Sequence, residues 1–288
     1  MRLISRIEST PCNVIRNAVQ NRKSQKSRSN ESLVVILGGA IVTWAHFVGF
    51  NPYVVGQHIS SNGLPLWRTG GISVSMNYGM LQEMDPDGEH GAFVVWGNRV
   101  QRLSPQGELL WGTDGVTLTD KAMANAILSY DGAHGAYVTW QEYVATGVSD
   151  SNVFAQHLQP DGQPLWGNAG VNVITGTDFQ GGPRVIPDGY GGAIVSWVDT
   201  VDNSSDTEWS LYTQRLDAAG SVQWNHDGIK IADHSGMRGD SALVSDSWHG
   251  MVAVWTDWLN DPLGNLYAQR ISEEFVLHRV FLPIDLKH

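Results

Sequence analysis

The stretch "GAYVTWQE" (135–142) recurs in altered form at four other places in the chain. The other copies are "GGAIVTWAH" (38–46), "GAFVVWGN" (91–98), "GGAIVSWVD" (191–199) and "GMVAVWTD" (250–257). Each copy begins at glycine, runs through small and apolar residues that are typical of a buried β-strand, and reaches a tryptophan with a polar residue two positions further on. Five copies in 288 residues predict a repeat protein.

Fixed spacings extend the repeat beyond this strand. A glutamine follows each strand tryptophan, and in four of the five units a second tryptophan comes ten residues after the glutamine, with a glycine four residues further on. The strand tryptophans are Trp44, Trp96, Trp140, Trp197 and Trp255, the glutamines are Gln57, Gln101, Gln156, Gln214 and Gln269, and the second tryptophans are Trp67, Trp111, Trp166 and Trp224. Turns such as Asp131-Gly132 and "PDGQ" (160–163) divide each unit into four short strands.

Four-stranded units at this period predict an all-β fold, a five-bladed β-propeller that occupies residues 31–288 as one domain. We expect the strand tryptophans to lie between blades, and each glutamine with the Arg or His after it to join one blade to the next. The fifth unit lacks its second tryptophan, so either "EEFVLHRVFLPIDLKH" (273–288) or the N-terminal head must close the ring. The alternative is a fragment of a larger propeller that is completed by dimerisation or strand exchange.

The pattern "DGxGGAxVxW…YxQRLDxxGxxxW" resembles repeats of large secreted bacterial β-propeller proteins. The part in "RLSPQGELLWG" (102–112) and "HLQPDGQPLWG" (157–167) also resembles the repeats of quinoprotein-type propellers. The resemblance implies the fold and a bacterial protein that is secreted or exposed at the cell surface. It identifies no enzyme family and no catalytic residue.

Charge separates a short head from the rest of the chain. Residues 1–30 contain seven Lys or Arg and one Glu, whereas residues 31–288 carry a net charge of −17. Such an acidic body repels phosphate, so nucleic acid is not expected as a partner. We expect the head to be disordered or to have been added during cloning. Cys12 is the only cysteine, which excludes an intrachain disulfide.

The chain contains no apolar run long enough for a transmembrane helix. The stretch "LVVILGGAIV" (33–42) falls in register with the repeat and is therefore interpreted as strand rather than as a signal peptide, so no signal peptide is recognised.

The residue two positions past each strand tryptophan differs from unit to unit. These positions hold His46, Asn98, Glu142, Asp199 and Asp257, which a propeller would present at one rim. Carboxylates that crowd together raise one another's pKa, and such a set can supply an acid and a base. Five-bladed propellers are a known scaffold for glycosidases with an acidic site on the axis, and by this analogy Glu142, Asp199 and Asp257 are the predicted catalytic residues. Alternatively, these side chains only close the strand ends by hydrogen bonding to the backbone.

The remaining predicted substrate-binding residues lie in loops on the same face. They are His46 and Asn98 at the rim, the aromatic residues Tyr143, Trp209 and Trp258, and the acidic residues Asp178 and Asp233. Aromatic rings beside carboxylates suit a sugar, whose C–H face stacks while its hydroxyls form hydrogen bonds. The same rings could instead fill the interior of a loop.

Three classes of function follow from this face. The first is a glycan hydrolase, the second is a lectin-like binding propeller for a carbohydrate or another small polar ligand, and the third is a structural piece of a larger surface protein. No metal site is predicted, although the oxygen-rich stretch "DNSSDTE" (202–208) could bind Ca²⁺. The expected state is a monomer, or a dimer if the ring closes by strand exchange.

Overall fold

The computed structural model describes residues 31–36, 38–77, 79–143, 151–174, 179–200, 209–235, 241–246, 250–257, 265–271 and 278–282. The head 1–30 and the stretch 202–208 lie outside these residues. The chain divides into two compact units, Met1–Thr117 and Leu118–His288.

The first unit contains two four-stranded antiparallel sheets. Sheet 1 consists of β1 (Glu31–Ile36), β2 (Gly39–Val48), β3 (Asn51–Ser60) and β4 (Ile72–Ser73). Sheet 2 consists of β5 (Leu81–Pro86), β6 (Ala92–Trp96), β7 (Arg99–Leu103) and β8 (Val116–Thr117). The two sheets share one apolar core, in which Ile41 and Val54 lie with Met84 and Trp96.

The second unit contains three sheets of the same kind. Sheet 3 consists of β9 (Met123–Tyr130), β10 (Ala136–Tyr143), β11 (Ser151–Leu158) and β12 (Val171–Ile174). Sheet 4 consists of β13 (Gln180–Pro187), β14 (Ala193–Thr200), β15 (Trp209–Leu216) and β16 (Ile229–Ser235). Sheet 5 consists of β17 (Ser241–Ser245), β18 (Met251–Asp257), β19 (Asn265–Ile271) and β20 (His278–Leu282). One core cluster joins sheets 3 and 4, and a second joins sheets 4 and 5.

Four of the five strand tryptophans are fully buried, as predicted, whereas Trp44 is only half-buried. Trp96, Trp140, Trp197 and Trp255 are at most 1% exposed. The repeated glycine explains how a large indole fits at these positions. Gly170 adopts a positive φ of 72°, and a Cβ atom there would lie 2.7 Å from Cη2 of Trp140. The same Cβ atom would lie 2.5 Å from the carbonyl oxygen of Ala155, so the glycine is required by its backbone conformation, by this carbonyl and by the ring packed against it.

The second tryptophans connect neighbouring sheets within a unit. Nε1 of Trp67 in sheet 1 donates to the carbonyl of Pro105 in sheet 2 at 2.9 Å. Nε1 of Trp166 in sheet 3 donates in the same way to the carbonyl of Ala218 in sheet 4 at 3.1 Å. Each indole thus supplies a directed bond between two sheets in addition to apolar burial.

Four of the five repeated glutamines bond within their own sheet rather than to a neighbouring one, so for these four the prediction was wrong. Oε1 of Gln156 accepts from the backbone N–H groups of His157 and Trp166, and its Nε2 donates to the carbonyl of Gly167. Gln57, Gln101 and Gln214 bond in the same pattern. All these partners lie within eleven residues of the glutamine, so the buried amide closes the segment that follows the third strand of its own sheet.

The Arg or His after each glutamine also bonds mostly within its own sheet. Nε of Arg102, Arg215 and Arg270 donates to Oδ2 of Asp87, Asp188 and Asp246, respectively. Each aspartate lies nine residues before the strand tryptophan and holds the turn between the first two strands through its Oδ1 atom. His58 is the exception, since its Nδ1 lies 3.0 Å from the carbonyl of Pro105 in sheet 2.

The C-terminal segment supplies the outer strand of sheet 5, one of the two possibilities for this unit. Strand β20 pairs with β19 in antiparallel register from Leu266–Leu282 to Arg270–His278. Each of the five sheets is therefore built from strands that are consecutive in the chain.

Candidate functional site

The three predicted catalytic carboxylates lie at equivalent places in sheets 3, 4 and 5. Glu142, Asp199 and Asp257 each come two residues after the buried tryptophan of the second strand, on β10, β14 and β18. Because side chains alternate along a strand, each carboxylate lies on the same face of its sheet as that tryptophan. Glu142 is buried, whereas Asp199 and Asp257 are half-buried.

A buried polar chain connects the ends of β10 and β14. Nε2 of Gln141 donates to Oγ of Ser151 at 3.0 Å, and this hydroxyl donates to the carbonyl of Gln180 at 2.8 Å. Gln180 is the cross-strand partner of Asp199. The ends of the strands that carry Glu142 and Asp199 therefore lie at one edge of the second unit.

Glu142 has a hydrogen-bond donor on each carboxylate oxygen. Oγ1 of Thr119 donates to Oε2 at 2.9 Å, and Nζ of Lys121 lies 2.6 Å from Oε1. The side chain of Glu142 is only 5% exposed, whereas that of Lys121 is 62% exposed. The hydrogen bond to Glu142, together with its negative charge, raises the pKa of Lys121 above the ordinary value.

Asp199 has a second polar side chain beside it. Direct cross-strand partners point to the same face of a sheet, so the side chain of Gln180 shares a face with Asp199. Gln180 is 1% exposed, and its Oε1 atom accepts no hydrogen bond from any residue that the structure describes. A buried acceptor that forms no hydrogen bond costs folding free energy. A group that donates a hydrogen bond would therefore be stabilised beside Gln180 and Asp199.

Sequence reasoning missed Thr119, Lys121, Asn125, Ser151 and Gln180 at this edge. Asn125 has a positive φ of 53° at a bulge in β9, and its Nδ2 donates to Oε1 of Gln141 at 2.8 Å. Bulges of this kind re-aim side chains and are common beside functional sites. The signal that the sequence offered is an asparagine inside the predicted strand "MANAILSY" (123–130), since Asn adopts a positive φ more readily than most residues.

The substrate-binding candidates in the second unit are only partly described. Tyr143 and Trp209 are half-buried, and the ring of Trp209 packs edge-on against Phe179 with 6.0 Å between centroids. Asp233 belongs to β16, with only its backbone described. Asp178 and Trp258 lie outside the described residues.

The other two candidates belong to the first unit. His46 is exposed near the end of β2, within the part of the β2–β3 hairpin that extends past β1. Asn98 is half-buried in the turn between β6 and β7. Each is described within its own unit, so their inclusion in a site with the carboxylates stays a prediction.

Among the residues of known placement, no three His, Cys, Asp or Glu side chains are grouped as they would be around a metal ion. His90 and His134 are exposed in turns with φ of 67° and 71°. The candidate Ca²⁺ stretch 202–208 falls outside the described part of the chain. No helix in the described part is both long and apolar enough to cross a membrane.

Comparison with known proteins gives weak structural similarity and no sequence match. No protein-family model matches the chain, and no curated protein matches it. A solved endo-arabinase from Bacteroides thetaiotaomicron is 15% identical with a TM-score of 0.39, over 90% of this chain and 94% of that one. An endo-1,5-alpha-L-arabinanase from Thermotoga petrophila is 10% identical with a TM-score of 0.39, over 88% of this chain and 81% of the other. Puromycin hydrolase is 14% identical with a TM-score of 0.45, over 90% of this chain but only 40% of the hydrolase.

Proposed function

We propose that residues 31–288 form a single five-bladed β-propeller that hydrolyses glycosidic bonds at the edge carrying Glu142, Asp199 and Asp257. The observation that carries the proposal is the placement of three carboxylates at one register position in three consecutive sheets. The polar chain from Gln141 to Gln180 adds to it, because it brings the ends of β10 and β14 together.

The chemistry requires two carboxyl groups in different protonation states. One acts as an acid and transfers its proton to the glycosidic oxygen as the bond from that oxygen to the anomeric carbon breaks. The other is ionised, and it either removes a proton from the water that attacks this carbon or attacks the carbon itself. In the second case water then releases the sugar from the carboxylate, and the first carboxyl group, now ionised, takes up a proton from that water. Two half-buried aspartates and one buried, ion-paired glutamate provide different environments for these two roles.

Substrate binding is assigned to the aromatic and polar residues that the repeat pattern predicts on the same face as the carboxylates. Tyr143, Trp209 and Trp258 would stack on sugar rings, while His46, Asn98, Asp178 and Asp233 would bond to hydroxyl groups. The partner is accordingly a carbohydrate. The resemblance of the repeat to secreted bacterial propellers supports a location outside the cytoplasm or at the cell surface.

A non-catalytic, lectin-like propeller is the second candidate, and the surroundings of Glu142 favour it. Both of its oxygens already accept hydrogen bonds from Thr119 and Lys121, as expected for a carboxylate with a structural role. Such a protein would bind a glycan through the aromatic side chains without cleaving it.

A screen of chromogenic glycosides and arrayed glycans with the purified protein separates the two candidates. For a hydrolase we expect turnover that falls at least 100-fold in Glu142→Gln and Asp199→Asn. Asp227→Asn is the matched control, because Asp227 is an exposed turn residue with an 85% exposed side chain. Binding without turnover would support the lectin-like propeller, and turnover unchanged in both variants would refute the proposed site.

A further inference from the structure

We propose that the tip of the β2–β3 hairpin inserts into the surface of an uncharged lipid bilayer. The apolar tip consists of Phe47, Val48 and Phe50. This docking goes beyond the proposed hydrolysis and does not depend on it, so either proposal can fail while the other holds.

The hairpin carries the apolar tip beyond the rest of sheet 1. Strand β1 pairs with β2 only as far as Trp44, and β4 pairs with β3 only as far as Val55. Past these positions β2 and β3 continue to pair with each other as far as Val48 and Asn51. A two-residue turn closes the hairpin, and Gly49 supplies the positive φ of 64° that its first position requires. The apolar tip is therefore held on regularly paired backbone.

All three side chains of the apolar tip are exposed to solvent. Phe50 is 100% exposed, and Phe47 and Val48 are 49% and 59% exposed. Exposed clusters of apolar side chains mark surfaces that bind another molecule or a membrane.

The directions of these side chains favour a fluid partner. Phe47 and Val48 are consecutive in β2, so they lie on opposite faces of the hairpin, and Phe50 lies in the turn between the two strands. A rigid flat surface would contact one of these faces and leave the other in water. Lipid surrounds an inserted hairpin and covers both faces and the turn at once.

The charge of the surrounding chain suits a surface without net charge. No Lys, Arg, Asp or Glu occurs from Ser32 to Trp67, although residues 31–288 carry a net charge of −17. Insertion of the hairpin therefore removes no ionised side chain of this stretch from water. Anionic lipid, in contrast, would be repelled by the acidic residues elsewhere in the chain.

Polar aromatic side chains lie at the level that the lipid head groups would occupy. His46 and Tyr53 are cross-strand partners, two residues before the last pair of the hairpin, Val48 and Asn51. Two residues of β-strand span about 7 Å, which is comparable with the insertion depth of about 5–10 Å for elements that lie in a membrane interface. Tyrosine is enriched at this level because its ring is apolar while its hydroxyl group bonds to water.

Co-flotation of the whole chain with phosphatidylcholine vesicles tests the proposal. The buffer contains about 0.5 M NaCl, which screens attraction between lipid and the basic residues 1–30. We expect the wild-type protein to float with the vesicles, and the partition coefficient to fall about tenfold in Phe50→Ala, as is typical for the loss of one buried aromatic side chain. Leu64→Ala is the matched control, because Leu64 is 63% exposed and lies beyond the opposite end of β3.

A fluorescent label locates the contact. Cys12 is the only cysteine, so Phe50→Cys and Leu64→Cys each provide a single labelling site when combined with Cys12→Ser. We expect the emission of a nitrobenzoxadiazole label at position 50 to shift to shorter wavelength when vesicles are added. The same label at position 64 should not respond.

Three results would overturn the proposal. The first is a wild-type protein that does not float at millimolar lipid, and the second is equal loss of flotation in Phe50→Ala and Leu64→Ala. The third is a dimer, or a complex with a soluble glycan, that Phe50→Ala abolishes in the absence of any flotation. A second copy of the chain or a substrate would then be the partner that covers the apolar tip.

Discussion

Nε2 of His157 lies 2.9 Å from Oδ2 of Asp131, in the place where sheets 2, 4 and 5 have an arginine Nε bound to the equivalent aspartate. The ring of His157 also packs on Tyr137, with 4.2 Å between centroids. In sheet 2 the corresponding arginine, Arg102, lies over Phe93 at 5.7 Å. The same three-part contact is therefore built with two different side chains, a histidine in sheet 3 and an arginine in sheet 2.

This equivalence predicts that the protein tolerates His157→Arg but not His157→Ala. Arginine should restore both the bond to Asp131 and the contact with the aromatic ring. Alanine removes the donor to a carboxylate whose side chain is 5% exposed, at a cost of about 2 kcal/mol. Thermal and urea unfolding of the two variants measures the difference, and equal loss in both would show that the imidazole ring itself is needed.

The same contact predicts a loss of stability in acid. Burial acts to raise the pKa of Asp131, but the hydrogen bonds from His157 and from the backbone of Ala133 and Gly135 outweigh it, so the pKa lies below 3.8. A lowered pKa contributes stability that is complete above the unfolded value and is lost as the pH falls through the folded value. We therefore expect the free energy of unfolding to decrease below about pH 4.

Substitution of Asp131 isolates its share of this pH dependence. The Asp131→Asn variant should be less stable than wild type at pH 7, and the gap should narrow as the pH falls below about 4. Asp161→Asn is the control, since Asp161 lies exposed in another turn of the same sheet. A gap that stays constant down to pH 2.5 would contradict the role given to the charge of Asp131.

The steric role of the repeated glycine can be tested by comparing alanine substitutions at Gly170 and at Gly167. Their φ angles are 72° and 74°, so alanine at either position meets about 1 kcal/mol of backbone strain. A Cβ atom at Gly170 would also lie 2.5 Å from the carbonyl oxygen of Ala155 and 2.7 Å from Trp140, whereas a Cβ atom at Gly167 would have nothing within 4 Å. Gly170→Ala should therefore cost about 2 kcal/mol more than Gly167→Ala in urea unfolding. Equal costs would mean that both the indole and the backbone of Ala155 move aside freely.

Gln156 tests the internal role of the repeated glutamines. Its buried amide makes three hydrogen bonds to the backbone, so Gln156→Ala should leave buried N–H groups without acceptors and cost about 3 kcal/mol. The exposed Gln163 in the same sheet is the control, and its substitution by alanine should change stability by less than about 0.5 kcal/mol. If neither substitution changes the free energy of unfolding appreciably, water must replace the hydrogen bonds of the Gln156 amide.

Periodic features were predictable from the sequence, and features of a single unit were not. The strand tryptophans recur at a fixed position, so their burial and the strands around them followed directly from the repeat. The glutamines were equally visible, but spacing alone does not reveal that their partners lie in the same hairpin. Short loops return the chain to the glutamine within eleven residues, and a buried amide bonds to the nearest orphan groups.

The candidate site was predictable only in part for the same reason. Glu142, Asp199 and Asp257 stand at a repeated register, which is how the sequence singled them out, and their catalytic role stays a prediction. Lys121 and Gln180 lie in or next to segments between sheets, where the repeat gives no guide. The contact of Gln180 with Ser151 depends in addition on how sheets 3 and 4 pack.

Every sheet is built from strands that are consecutive in the chain, and this affects how such a protein can evolve. A single tandem duplication or deletion within the gene can add or remove a whole sheet, because no strand has to be exchanged with a distant part of the chain. The number of sheets can therefore change in one genetic event, while the residues at the strand ends diverge separately from the scaffold that carries them.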